Sequence, residues 1–302
     1  MIRKGSWFPG NWRARSVSVT GHETSSSHAN IRVTWNETSG VSGKDALRVV
    51  ILGKTGSGKS SLGNTLLGRE AFRVTTGMGS GTPKCQWADA ELPDMMLEEV
   101  VQEVAKSVAL CLPGPHVILM VLRSDRRFTA EEHDAYQTLK KLFGEEIRQH
   151  MIIVFTAIDI FREESVDGQR TALKAQIDGP KCPPQLRQVL DDADGRYFGV
   201  NNLVARQPGD SQTQRLIHMM KELRTRNNGR FYNSKIIQDI GTALDPLVQQ
   251  TMQTTNTSRQ EAVRQVNTAI VTDSGEPSVM QRITAVIADK IKKLEAAGCS
   301  VM

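Results

Sequence analysis

Residues Gly53, Lys54, Thr55, Gly56, Ser57, Gly58, Lys59 and Ser60 read G-K-T-G-S-G-K-S, which satisfies G-x-x-x-x-G-K-[ST], and Ser61 follows directly. Such a run suits a chain of phosphates. Glycines let successive backbone N–H groups turn toward phosphate oxygens, and a helix opening at that point adds the partial positive charge of its N-terminus. Lys59 is expected to bridge the β- and γ-phosphates, and Ser60 to place its hydroxyl on Mg²⁺. The alternative is a Gly/Ser-rich connecting loop. The context argues against it, because an apolar strand precedes the run and a helix over Ser60–Leu67 follows it.

A phosphate loop alone does not choose between ATP and GTP. Asp159 lies just after the apolar stretch Met151–Thr156. A carboxylate at that strand end can accept both the N1–H and the exocyclic amine of guanine, whereas adenine presents an acceptor at N1. An aspartate after a strand also serves as a cap or turn residue, so both readings stand on the residue alone.

The elements that must position these groups follow from hydrophobic patterning. Leu47–Leu52 (LRVVIL), His116–Leu122 (HVILMVL) and Met151–Thr156 (MIIVFT) are short continuous apolar runs, as expected of strands buried on both faces of a parallel sheet. Ala130–Phe143 has helical spacing, Arg196–Asn202 (RYFGVNN) reads as a last strand, and Thr213–Asn227 as a closing helix. Strand alternating with helix implies a doubly wound α/β fold with a mostly parallel sheet. From Phe231 onward the chain is helical and Gln/Thr-rich, without a further strand. Residues 1–45 are Ser/Thr/Gly/Asn-rich and read as a disordered arm, in which Trp7, Phe8, Trp12 and Trp35 are either isolated exposed aromatics or contacts for a membrane or partner. The expected organisation is therefore an arm over 1–45, a nucleotide-binding domain over 46–232 and a helical extension over 233–302.

Composition narrows the partners. The chain has 302 residues and a net charge of +5, but its 38 Lys and Arg are scattered among 33 acids, so no nucleic-acid partner is expected. The four cysteines (Cys85, Cys111, Cys182, Cys299) form no CxxC pair and no metal-ligand spacing, which suits free thiols in a reducing compartment. No run approaches the ~20 apolar residues needed to span a bilayer. The N-terminus lacks the continuous apolar core of a secretory signal, and the cytoplasm is the expected location.

Four stretches carry a specific resemblance. GKTGSGKSSLGNTLLG (53–68), PGPHVILMVLRSDRRFTAEE (113–132), FGEEIRQHMIIVFTAID (143–159) and RYFGVNN (196–202) resemble the immunity-associated nucleotide-binding GTPases, the GIMAP family, a septin-like branch of the Ras-like P-loop class. The match runs over roughly 47–232, and the second stretch resembles that family's characteristic conserved box. The resemblance implies a Ras-like P-loop GTPase fold that binds GTP or GDP with Mg²⁺. It implies phosphate contacts from Gly53–Ser61 and base contacts from Asp159 and Asn202. It also implies a switch I threonine at Thr82 that completes Mg²⁺ coordination, and homodimers or oligomers formed through the G domain. Arg127 matches a position that some relatives use as a catalytic arginine supplied across a dimer; a surface arginine at the start of a helix is the other reading.

The pattern breaks in one place that matters chemically. The family has a D-x-x-G element at the end of its own central strand, and no such element lies between Cys85 and Val100. About a dozen residues are absent before Leu92 relative to the family, including the central switch II strand. The missing aspartate would steady Mg²⁺ through water, and the missing glycine N–H would sense the γ-phosphate. Slow GTP hydrolysis, a hydrolysis-deficient nucleotide-dependent membrane scaffold, and a truncated isoform or gene model lacking switch II are the resulting alternatives. Ile158, where relatives commonly carry lysine, is a second departure that should loosen base binding.

The chain ends Cys299-Ser300-Val301-Met302, a C-a-a-X pattern of the type usually farnesylated. Upstream, Met280, Ile283, Ile287, Ile291 and Leu294 form an apolar helical stripe, read as packing against the G domain or a partner helix in preference to lying in a membrane. One lipid chain gives marginal, reversible binding, and Lys290, Lys292 and Lys293 add to it. Reversible membrane association through prenylated Cys299 is the expectation.

Overall fold

A computed structural model describes residues 12–19, 47–54, 56–67, 113–204, 211–259, 261–263, 265–266 and 277–296. The central sheet contains β1 (Trp12–Val19), β2 (Leu47–Lys54), β3 (Val117–Arg123), β4 (Met151–Thr156) and β5 (Tyr197–Gly199), in the spatial order β1-β2-β3-β4-β5. The pairs β2–β3, β3–β4 and β4–β5 are parallel. Parallel neighbours need crossovers, and α1 (Lys59–Leu67), α2 (Ala130–Phe143), α3 (Val166–Asp178) and α4 (Pro184–Asp192) lie within them, while α5 (Ser211–Arg226) follows the last strand.

The continuous apolar runs resolve into strict alternation between two cores, as the period of two in a strand requires. Val50, Leu52, Ile118, Met120, Leu122, Met151, Ile153 and Phe155 face one side, against α2, α4 and α6 (Lys235–Thr255). Val49, Ile51, Val117, Leu119, Val121, Ile152 and Val154 face the other, against Leu62 and Leu66 of α1 and Leu216, Ile217, Met220 and Leu223 of α5. Both faces of the sheet are covered, which is the doubly wound arrangement expected from the sequence.

Two features depart from the sequence reading. Within the stretch expected to be a disordered arm, residues 12–19 form a strand. It runs antiparallel to β2 along its whole length, from Trp12 opposite Lys54 to Val19 opposite Leu47. The physical reason is the edge of β2, whose backbone donors and acceptors on that side need partners. The last strand is also shorter than expected, spanning Tyr197–Gly199 in place of Arg196–Asn202. The segment from Cys85 to Val100, where the D-x-x-G element is missing, lies outside the described residues, as do Thr55, Thr82 and Cys299.

The helical extension completes the same core. Ile236, Ile237, Ile240, Leu244 and Val248 of α6 are buried in the cluster that holds Val50 and Leu52. Ile283 of α7 (Pro277–Ala296) is fully buried there too, and Val286 packs against it. That part of the apolar stripe is therefore used in packing. Tyr232 joins the extension to the sheet: its N–H donates to the Pro115 carbonyl at 2.7 Å, and its hydroxyl donates to the Phe143 carbonyl. Among the described residues, no helix is long and apolar enough to cross a membrane.

Candidate functional site

The phosphate loop is the link between β2 and α1. The Ser57 N–H donates to the Lys54 carbonyl at 3.1 Å and closes the turn, and the Leu62 N–H takes the Gly58 carbonyl at 2.9 Å as the helix begins. Gly53 adopts φ +153°, and a Cβ there would stand 2.4 Å from the backbone carbonyl oxygen of Val121. No side chain fits, because β3 passes directly beneath. Gly58 adopts φ +90°, with a virtual Cβ 3.1 Å from Asn202 Nδ2 and 3.2 Å from Thr156 Cγ2. The loop thus lies across the C-terminal ends of β2, β3 and β4, where open α/β sheets bind ligands, with Asn202 beside Gly58.

Lys59 is buried, and its ammonium donates to the carbonyls of Gly53 at 2.7 Å and Lys54 at 2.8 Å. The charge expected to meet phosphates is therefore held inside the loop on two backbone oxygens. Ser57 Oγ and Asn202 Oδ1 are both shielded from solvent and have no hydrogen-bond partner among the described residues. A buried hydroxyl without a partner inside a positively charged loop fits a phosphate oxygen, so the residues present suit the nucleotide that the motif implies. Ser60 stands half-buried in the first turn of α1. Among the described residues, no group of three or more His, Cys, Asp or Glu could hold a metal ion. The donor set fits an Mg²⁺ carried by phosphate oxygens and the Ser60 hydroxyl, with no protein cage of its own.

Thr156, Arg123 and Lys54 brace the loop, and of these only Lys54 stood out in the sequence, as part of the phosphate-binding run. Thr156 Oγ1, at the end of β4, donates to the Ser57 carbonyl at 2.7 Å and lies 3.2 Å from the Leu122 carbonyl. Arg123, at the end of β3, donates from Nη1 to the Gly56 carbonyl at 3.0 Å. Its other edge is gripped by Asp125, with Nε to Oδ1 at 2.7 Å and Nη2 to Oδ2 at 2.5 Å. That hydrogen bonding raises the Arg123 pKa and lowers the Asp125 pKa, so the pair stays ionised. Lys54 reaches outward to Glu131 Oε2 at 2.8 Å, which ties the loop to the first turn of α2. Thr129 caps that helix, its hydroxyl accepting from Glu132 N–H while Glu132 Oε2 accepts from Thr129 N–H. The stretch Arg123–Glu132 is therefore a collar around the phosphate loop. Arg127 is exposed within it.

The base side is built from two loops. After β4, Ala157 turns left-handed (φ 57°), a 3₁₀ turn spans Ile158–Phe161, and Arg162 is left-handed again (φ 52°). Asp159 is exposed on this turn, and its backbone carbonyl, not its side chain, closes the turn by accepting from Arg162 N–H at 3.1 Å. Ile158 points the other way and is fully buried, with its Cγ2 close to Gly199. The position where relatives carry lysine is here a core position. After β5 come two asparagines with opposite fates. Asn201 is buried and hydrogen-bonded to Gln169, Gln212 and the Leu203 N–H. Asn202 is the one turned toward the phosphate loop.

This order of elements, with a glycine-rich loop after the first parallel strand and a carboxylate turn after β4, is accompanied by a sequence match. A sequence model of the AIG1 family matches residues 47–252. The chain belongs to the AIG1 family. The resemblance read from the four stretches is thereby borne out. This AIG1-family chain is 27% identical over 210 residues to Immune-associated nucleotide-binding protein 7 of Arabidopsis thaliana, covering 64% of this chain and 66% of that one. It is 29% identical over 209 residues to Immune-associated nucleotide-binding protein 9 of the same plant, covering 64% of this chain and 59% of that one. It is 28% identical over 199 residues to GTPase IMAP family member 8 of Mus musculus, covering 60% of this chain and 28% of that one. The matched region thus spans less than two thirds of these relatives' own length. Among solved structures, Toc33 from Arabidopsis thaliana in complex with Mg²⁺ and GMPPNP is similar at 18% identity and a TM-score of 0.41, covering 59% of this chain and 83% of that one.

Proposed function

We propose that this AIG1-family protein binds GDP and GTP in the loop Gly53–Ser61, with Mg²⁺ held by the phosphates and Ser60, and reads guanine with Asp159 and Asn202. The observation that carries the reading is the juxtaposition at Gly58. The phosphate loop, Thr156 at the end of β4 and Asn202 after β5 meet within van der Waals distance there, while Asp159 stands three residues beyond Thr156 on an exposed turn. One ligand with a phosphate end and a base end can reach all of them. The Arabidopsis relatives' name, immune-associated nucleotide-binding protein, agrees with nucleotide binding. The test is displacement of fluorescent mant-GDP from the purified full chain. GDP and GTP are expected to compete at least about tenfold better than ATP, a preference of about 1.4 kcal/mol. Equal competition by ATP, or no mant-GDP binding, sinks the reading.

Binding is favoured over turnover by one specific observation: no D-x-x-G lies between Cys85 and Val100. Arg127, exposed four residues past Arg123, would be available to a second copy docked across the nucleotide, as the family resemblance implies. Single-turnover hydrolysis compared between wild type and Arg127→Ala decides between a slow, dimer-assisted GTPase and a nucleotide-dependent scaffold. Equal residual rates favour the scaffold. The C-terminal C-a-a-X pattern supports reversible membrane association through prenylated Cys299. Metabolic labelling with an isoprenoid analogue that proceeds equally in wild type and Cys299→Ser refutes it.

A further inference from the structure

Reading guanine with two separate loops poses a positioning problem. Asp159 sits on the turn after β4 and Asn202 on the turn after β5, and the β4–β5 ladder ends at the pair Phe155–Gly199, before either is reached. Beyond that point, something other than sheet pairing must fix the gap. Gln169, in the first turns of α3, lies between the two loops and is only 7% exposed. Its Nε2 donates to the Glu163 carbonyl at 3.2 Å, four residues past Asp159. Its Oε1 accepts from Asn201 Nδ2 at 3.1 Å, one residue before Asn202. The two ends of one buried amide therefore hold the two loops.

The rest of the network keeps that amide from drifting. The Gln169 backbone N–H is fixed on the Ser165 carbonyl at 2.9 Å, at the capped start of α3. From the opposite side, Gln212 of α5 accepts the Asn201 N–H at 2.9 Å, and Asn201 Oδ1 takes the Leu203 N–H at 3.0 Å. Asn201 and Gln212 are each 3% exposed. A buried amide network with its hydrogen bonds made is rigid, because leaving any one of them unmade in the low-dielectric interior is costly.

We infer that Gln169 is a positioning residue for base specificity: it sets the distance between the Asp159 loop and the Asn202 loop. This rests on the guanine-binding reading above. Hydrogen bonds weaken steeply with distance and angle, so a loosened gap costs the contacts to the base while leaving the phosphate loop untouched. Inosine diphosphate supplies the discriminating probe. It lacks only the 2-amino group that Asp159 would accept from, so the GDP-to-IDP affinity ratio reports the Asp159 contact, and displacement by inorganic pyrophosphate reports the phosphate loop.

The experiment measures displacement of mant-GDP by GDP, IDP and pyrophosphate in the full-length wild type, Gln169→Met and Gln169→Asn. Met keeps the length of the side chain and removes both hydrogen bonds; Asn keeps an amide that is too short to reach both loops. In both variants GDP affinity is expected to fall about tenfold and the GDP-to-IDP ratio to drop toward one, with pyrophosphate displacement changed by less than about twofold. Wild type that binds mant-GDP and prefers GDP over IDP, with the same ratio in both variants, overturns the inference and leaves the guanine reading standing. Variants that melt earlier yet keep the ratio overturn it too, since Gln169 is then only a stabilising core amide. The same conclusion follows if neither variant folds. Wild type that fails to bind, or fails to prefer GDP, removes the guanine reading and this inference with it.

Discussion

Replacing Arg123 by alanine tests whether the collar around the phosphate loop contributes to binding. The substitution removes the 3.0 Å bond to the Gly56 carbonyl and strips Asp125 of its bidentate partner. A hydrogen bond from a charged donor is worth about 1.5–3 kcal/mol. The Arg123 side chain is 30% exposed, so solvent recovers part of that, and about 1–2 kcal/mol remains. If the loss falls on the loop conformation that receives phosphates, the affinity for mant-GDP drops about 5- to 30-fold. Arg123→Lys should recover little, because a single ammonium cannot grip Asp125 with two parallel bonds and reach Gly56 at once. Arg123→Ala/Asp125→Asn should bind better than Arg123→Ala alone, since the double variant no longer leaves an uncompensated carboxylate beside the phosphates. Affinity and melting temperature would be measured on the same preparations. An unchanged affinity with a lowered melting temperature of the ligand-free protein refutes the reasoning, because the guanidinium would then only stabilise the fold.

Asp159→Asn exchanges one acceptor for a donor on the base side. Guanine affinity should fall about 10- to 100-fold, and xanthosine diphosphate, with a carbonyl where guanine has its amine, should gain; equal affinities for GDP in the two proteins would contradict the assignment. Burial first, with nearby Arg48 second, lowers the His116 pKa from 6.5 to about 3, and burial also lowers that of His150. The His116 ring is then neutral in the folded chain and protonates in the unfolded one, and the His150 shift acts in the same sense. Stability is fully present above pH 6.5 and declines as pH falls toward 4, by up to about 1.4 kcal/mol per pH unit for His116 alone. Thermal melts across that window check it, and His116→Asn should flatten the slope. Removing residues 1–20 uncovers the outer edge of β2; a lower melting temperature and self-association by sedimentation are expected, whereas unchanged behaviour in both argues against the β1 pairing.

The parts of this fold that the sequence revealed are those written in contiguous residues. The phosphate loop needs glycines and a lysine at fixed spacing, and the three buried strands need runs of apolar residues, so both are visible without any partner. Asp159 was visible because it follows such a run. The bracing contacts were not, because each joins residues remote in the chain: Thr156 to Ser57 across 99 positions, Arg123 to Gly56 across 67 and Asn201 to Gln169 across 32. A threonine ending an apolar run, or a glutamine near a helix start, carries no local mark of its destination. The adjacent Asn201 and Asn202 make the point most sharply. Resemblance selected Asn202, but only the three-dimensional path shows that Asn201 serves the interior. Ile158 is a departure from which the sequence implies looser base binding, and the structure adds that its side chain fills the core beside Gly199.

The pairing of residues 12–19 along all eight residues of the P-loop strand occupies one of that strand's edges completely. A β-strand has only two edges, and β3 already holds the other. A longer version of this chain that restored an inner strand beside Leu47–Lys54 would compete with the N-terminal arm for the same hydrogen-bonding groups, and one of them would be expelled. Arm and inner strand are mutually exclusive tenants of a single edge, so restoring the D-x-x-G segment beside the P-loop strand would also release the first 20 residues to find another partner.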